Sequence, residues 1–205
     1  GVLPQIVVPV GKVKSALELA RKTVAGILKT SPGEIFFTSG GTEADNTAIT
    51  QSIETFGITH AVSSQFEHHA VAHTLENLEK AGKIKISHLK CDEKGNLDLN
   101  QLDEILAQNP KSLVSLMHGN NEIGNLLDLE LASEICKKYG AILHSDTVQT
   151  MGHYAFDLQK LNIDFIVGSA HKFHGPKGVG FIYINANSKI KPFINGGAQE
   201  RNMRG

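Results

Sequence analysis

The chain has 205 residues, 40% of them hydrophobic, with 20 Lys and Arg against 21 Asp and Glu for a formal net charge of -1. That length suits one large domain over residues 1–205 with a core of its own, and the charge balance argues against a nucleic-acid or membrane-surface partner, either of which favours a basic face. Two cysteines without CxxC spacing, Cys91 and Cys136, argue against a disulfide framework or a cysteine-rich metal site and make the reducing cytoplasm the expected compartment.

Residues 1–10 are apolar but lack the basic lead-in and cleavage site of a signal peptide. Val13, Ala16, Leu17, Ala20, Val24, Ile27 and Leu28 recur every three or four residues. That spacing predicts a helix of about five turns with one apolar stripe, ended by Pro32-Gly33. Glu34 to Phe37 reads as a short strand stopping at Thr38-Ser39-Gly40-Gly41, with a helix starting near Thr42 or Glu43. Ala61-Val62 lies in a strand, followed by a helix from His68 to Lys80, and Lys83 to Leu89 alternates at period two. Leu102 to Leu106 is helical and Ser112 to Met117 is an apolar strand. Leu129 to Tyr139 forms a helix closed by Gly140, a residue suited to a left-handed cap. Ala141 to His144, Phe165 to Val167 and Gly180 to Ile184 are buried strands. No apolar run reaches the roughly 20 residues that span a bilayer. Strands separated by helices imply crossovers, hence a three-layer α/β/α fold with a mostly parallel mixed sheet.

In such a sheet, ligands bind beyond the carboxyl ends of the strands. The polar residues expected there are unusual in type. They are Thr38 to Thr42, then Glu67-His68, His118 to Asn121, Asp146 with Gln149, and Ser169 to Lys172. Gly40-Gly41-Thr42, between a strand and a helix, lets backbone N–H groups and a hydroxyl approach a phosphate. The same residues also suit an ordinary turn and N-cap, and they match neither the mononucleotide nor the dinucleotide glycine motif. Asp146 ends a buried strand, where a carboxylate is costly unless it meets a cation such as a protonated pyridine nitrogen; capping the following turn is the alternative. Lys172 has His171, His174 and Lys177 as neighbours, cations that lower an amine's pKa as a Schiff-base lysine needs; a solvated surface lysine is the alternative. Ser169 and His171 suit phosphate ligation. His68 heads a helix, where an imidazole can stack on a flat ring and move protons. His69 and His73 share a helical face, but without an HExxH motif no metal site is expected.

Together these segments resemble the NifS-like cysteine desulfurases, in the class V aminotransferase group of fold-type I pyridoxal-phosphate enzymes. The residues that carry the resemblance run Phe37 to Asn46, Glu67-His68, Met117 to Gly124, Asp146 to Gln149 and Ser169 to Gly178, in family order. The resemblance implies pyridoxal 5'-phosphate as cofactor, bound covalently through Lys172, which later moves the substrate α-proton. It implies His68 stacked on the pyridine face, Asp146 on the pyridine nitrogen and Gln149 on the phenolic oxygen. Gly41, Thr42, Ser169 and His171 would hold the phosphate, and Asn121 would lie by the substrate carboxylate. The implied reaction takes sulfur from L-cysteine onto an enzyme cysteine and releases alanine, feeding a sulfur-acceptor protein for iron–sulfur or thio-cofactor assembly. A homodimer is the implied assembly.

Residues 1–10 do not resemble the family's approach to its first long helix. The sequence stops at Gly205, where the family continues into a smaller domain holding the persulfide cysteine and a carboxylate-binding arginine. Cys91 and Cys136 match neither position. The expectation is therefore a large-domain fragment without turnover of its own. Selenocysteine lyase, aminotransferase and non-catalytic dimerisation or scaffold roles stay open as alternatives.

Overall fold

Phe165, Val167, Ile182 and Ile184 pack on one face of a sheet, while Ile166, Phe181 and Tyr183 pack on the other. This period-two division, in which successive side chains point to opposite faces, organises the core. It is seen in a computed structural model of the protein that describes residues 10–197 and 199–205. Of residues 1–10, read as a departure from the family pattern, residues 1–9 lie outside the described residues.

The strands are β1 (Ile35–Thr38), β2 (His60–Ser63), β3 (Lys85–His88), β4 (Leu113–Ser115), β5 (Ile142–Asp146), β6 (Phe165–Ser169) and β7 (Gly180–Ile184). They form one seven-stranded sheet in the order β1-β7-β6-β5-β4-β2-β3. The β3, β2, β4, β5 and β6 neighbours pair in parallel, and β7 is antiparallel to both β6 and β1. β1 therefore runs in the direction of the parallel set. The helices are α1 (Val10–Ile27), α2 (Gly41–Phe56), α3 (His69–Lys80), α4 (Leu99–Gln108) and α5 (Leu129–Tyr139). Ile49 and Ile53 of α2 join Val71 and Leu75 of α3 against Ala61 and Leu113 on one face. Leu102 and Leu106 of α4 join Ala132 and Cys136 of α5 against Val62, Val114 and Leu143 on the other. The expected three-layer architecture is present.

Local chemistry sets the element ends. Asp98 and Asp128 cap α4 and α5 by accepting first-turn N–H bonds. Gly140 closes α5 at φ 65°, the left-handed conformation expected of it.

The apolar stripe of α1 departs from expectation. Only its C-terminal part meets the core, through Ala25 and, just past the helix, Leu28, whereas Val13, Leu17 and Ile27 are exposed. Arg21 lies on the buried face instead, 2% exposed, because Glu200 supplies a counter-charge from the far end of the chain. Helical periodicity carries no signal for such a partner.

Candidate active site

Five strand ends meet at the carboxyl edge of the parallel set and enclose a cavity of about 180 Å³. Gly41, Thr42 and Asp45 come from the start of α2, behind β1. His68 comes from the head of α3, behind β2, and Met117 with Asn121 from the loop after β4. Asp146, Val148 and Gln149 come from the end of β5, and Ser169, His171 and Lys172 from the end of β6 and its following 3-10 turn. Every site residue expected from the sequence lines this cavity. Its floor is buried (Gly41, Asp45, Met117, Asp146, Ser169) and its rim exposed (Thr42, His68, Asn121, His171, Lys172).

The two oxygens of Asp146 differ in their partners. Val148 N–H donates to Oδ1 at 2.9 Å, capping the turn; Oδ2 makes no hydrogen bond among the described residues. Burial pushes this carboxyl above the usual range, opposed by the Val148 N–H and by the charges of His68 and Lys172. A buried carboxylate with one oxygen free of hydrogen bonds favours a cationic partner.

Opposite lies an anion cradle. Gly40 caps α2 without a side-chain bond, which leaves the first-turn N–H groups open to a ligand. Gly41 is required by close packing, since a Cβ there would stand 2.7 Å from Val148 Cγ2. Ser169 Oγ and His171 Nδ1 pair at 3.0 Å beside it. His68 caps α3 by accepting the Ala70 N–H on Nδ1 at 3.1 Å. That bond assigns Nδ1 as an acceptor and leaves Nε2 as the free ring nitrogen.

Some polar residues read at strand ends serve the scaffold. Thr38 Oγ1 donates to the Gly40 carbonyl. His118 pairs with Thr150 and packs edge-on against Tyr154 and Phe156. Asn120 Oδ1 accepts the Glu122 and Ile123 N–H groups while Nδ2 donates to the Phe66 carbonyl, fastening the Asn121 loop to the approach of α3. Asp45, Met117 and Val148 also line the cavity without having been singled out. The spacing of Asp45 from Gly41, one helical turn, was the available signal.

The profile of the family described as "Aminotransferase class-V" matches residues 7–204. The chain belongs to the class-V aminotransferase family. Enzymes of that family use pyridoxal phosphate. The chain is 42% identical over 201 residues to the cysteine desulfurase IscS of Clostridium botulinum, covering 94% of this chain and 49% of that protein. Among solved structures it is similar to a NifS-like protein, with TM-score 0.88 and 40% identity over 95% of this chain and 54% of that one. A second, SspA in complex with cysteine, has TM-score 0.90 and 30% identity over 98% of this chain and 59% of that one. The chain thus spans about half the length of the curated relatives it matches.

The cavity of this class-V chain fits the family's cofactor. A phosphate suits the uncapped α2 terminus with Thr42, Ser169 and His171, a protonated ring nitrogen suits Asp146 Oδ2, and Lys172 supplies the amine. No cysteine lines it. Cys91 is exposed, and Cys136 is a core residue whose thiol burial pushes up to about 12.

Proposed function

We propose that the chain carries the cofactor-binding core of a pyridoxal-phosphate-dependent cysteine desulfurase. The observation that carries this reading is the meeting of Lys172, His68 and Asp146 Oδ2 with an anion cradle around one small cavity. When bound, the cofactor supplies an electron sink that weakens the bond to the α-proton of an amino acid.

The chain's own residues then divide the work. Lys172 anchors the cofactor, and its amine, once released, holds and returns the α-proton. His68 offers Nε2 to the cavity, where an imidazole can hold or pass a proton near neutral pH. Asp146 keeps a ring nitrogen protonated by pairing with its charge. Thr42, Ser169 and His171 orient the phosphate, Gln149 the phenolic oxygen, and Asn121 the substrate carboxylate. The net reaction breaks the Cβ–S bond of L-cysteine, moves that sulfur onto an acceptor thiol as a persulfide, and protonates Cβ to give alanine. With no cysteine on the cavity wall, the acceptor thiol belongs to another segment or partner. The same reading includes a cytoplasmic homodimer; exposed Val13, Leu17 and Leu19 on α1 support a partner surface.

Borohydride reduction of the purified protein incubated with pyridoxal phosphate, followed by peptide mass spectrometry, tests the assignment. The expected adduct is on Lys172, and Lys172→Ala should lose both the adduct and the visible absorbance. An adduct on another lysine, or equal absorbance in the variant, overturns it.

A further inference from the structure

Buried polar atoms without a hydrogen-bond partner are concentrated in one region of the described residues: Asp45 Oδ1, Glu67 Oε2, His144 Nε2 and Ser145 Oγ. Asp45 lines the cavity. Glu67 precedes His68 and accepts the Met117 N–H at 3.0 Å, while His144 and Ser145 lead directly into Asp146. Three carboxyls, those of Asp45, Glu67 and Asp146, thus share one buried region, in which His68 and Lys172 act on Asp146. Adjacent carboxylates in such surroundings cannot all ionise.

Asp45 has a specific neighbour. Its Oδ1 stands 3.3 Å from His144 Nε2, both side chains no more than 2% exposed, without the alignment of a hydrogen bond. The other ring nitrogen, Nδ1, pairs with Ser115 Oγ at 2.8 Å. Burial pushes the His144 imidazole down to about 3, so the ring is neutral. Burial, then the charges of Asp146 and Glu67, push the Asp45 carboxyl well above the usual range. The contact is therefore a neutral acid facing a neutral ring, and a small rotation lets one proton bridge Oδ1 and Nε2.

We propose that Asp45 is a positioning residue of the cavity floor, a carboxylic acid bridged to His144 by its own proton, which leaves Asp146 as the floor's single negative charge. The groups that face Asp45 are His144 and Asp146 from β5 and Glu67 from the approach to α3, with His68, His171 and Lys172 across the cavity. If Asp45 loses its proton, the floor gains a second negative charge beside an anion site, and a phosphorylated ligand is repelled. This consequence rests on the proposed cofactor; the protonation of Asp45 does not.

Infrared difference spectra of the cofactor-free protein at pH 7, wild type against Asp45→Asn, read the acid directly. Loss of a protonated-carboxyl band is expected, and loss of carboxylate bands instead would overturn the proposal. Should Asp45→Asn fail to fold, Glu67→Gln serves, because a protonated-carboxyl band must persist once Glu67 is removed. The second arm measures pyridoxal-phosphate retention from pH 7 to 9.5. Glu67 titrates in this window in both proteins, so the readout is their difference. Asp45→Asn, whose amide cannot ionise, is expected to hold the cofactor at least as tightly as wild type throughout, and loss of affinity at pH 7 in Asp45→Asn alone rejects the neutral-acid role. Absence of cofactor binding in both proteins would strike at the functional reading alone, and the infrared result decides Asp45 in that case.

Discussion

Arg21 grips Glu200 from 179 positions away, Nη1 donating to Oε2 at 2.9 Å and Nη2 to Oε1 at 3.0 Å. Nη1 also donates to the Ile35 carbonyl, and Glu200 Oε2 accepts the Phe37 N–H, so this buried pair ties α1, β1 and the end of the chain together. Just beyond, Arg204 bonds Glu43, whose carboxylate also accepts the Ser39 N–H at the turn into α2. The C-terminal residues therefore brace the helix whose first turn edges the cavity. Removing one member of a buried pair leaves an uncompensated charge, at a cost of about 3–5 kcal/mol. Arg21→Met should lose that much in urea denaturation, while the double variant Arg21→Met/Glu200→Leu should recover most of it.

Glu67 gives a prediction of pH dependence. Its Oε1 accepts from Ser64 Oγ and Met117 N, and burial pushes its pKa up to about 8. The folded state thus binds a proton that the unfolded chain releases near 4.5, so this contribution to stability is full below about 4.5 and is lost as pH rises through 8. Glu67→Gln keeps the acceptor at Oε1. It should flatten the decline in melting temperature between pH 5 and 9, with a gain on the order of a few kcal/mol at pH 9. An unchanged slope would refute the buried-acid assignment.

Gly41→Ala tests the cradle. The added methyl would stand 2.7 Å from Val148 Cγ2, and β-branched valine has little freedom to move away. Overpacking of this kind costs about 1–3 kcal/mol, and here it displaces the α2 terminus from Ser169. Pyridoxal-phosphate affinity should fall at least tenfold. Adding Val148→Ala should restore it by opening the space.

Asp146→Asn should separate the two tasks of that side chain. The amide oxygen can still accept the Val148 N–H, so the turn persists, while the charge facing Lys172 and His68 disappears. Loss of a charged hydrogen bond is worth about 1.5–3 kcal/mol, which predicts cofactor affinity about ten- to a hundredfold weaker, measured by absorbance titration. The melting temperature of the cofactor-free variant should not fall, because burial opposes the charge that is lost.

Much of the site was legible because each of its parts follows a strand. Gly41, His68, Asn121, Asp146 and Lys172 are scattered over the chain, yet apolar runs ahead of four of them and a glycine turn ahead of Gly41 placed all five at strand ends. Asp45 escaped notice because a lone Asp within a helix reads as solvated. Only the packing of α2 onto the sheet turns it inward, against His144.

Period-two and period-3.6 patterning determined the layers, the parallel sheet and the rim on which chemistry gathers, because those repeats record which side of each element is dry. Tertiary structure alone decided which charges are buried and with what company: Arg21 with Glu200, Asp45 with His144, Glu67 with Met117. Such pairings depend on distances between elements far apart in the chain, and the free energy of a charge changes with its surroundings far more than with its neighbours in sequence.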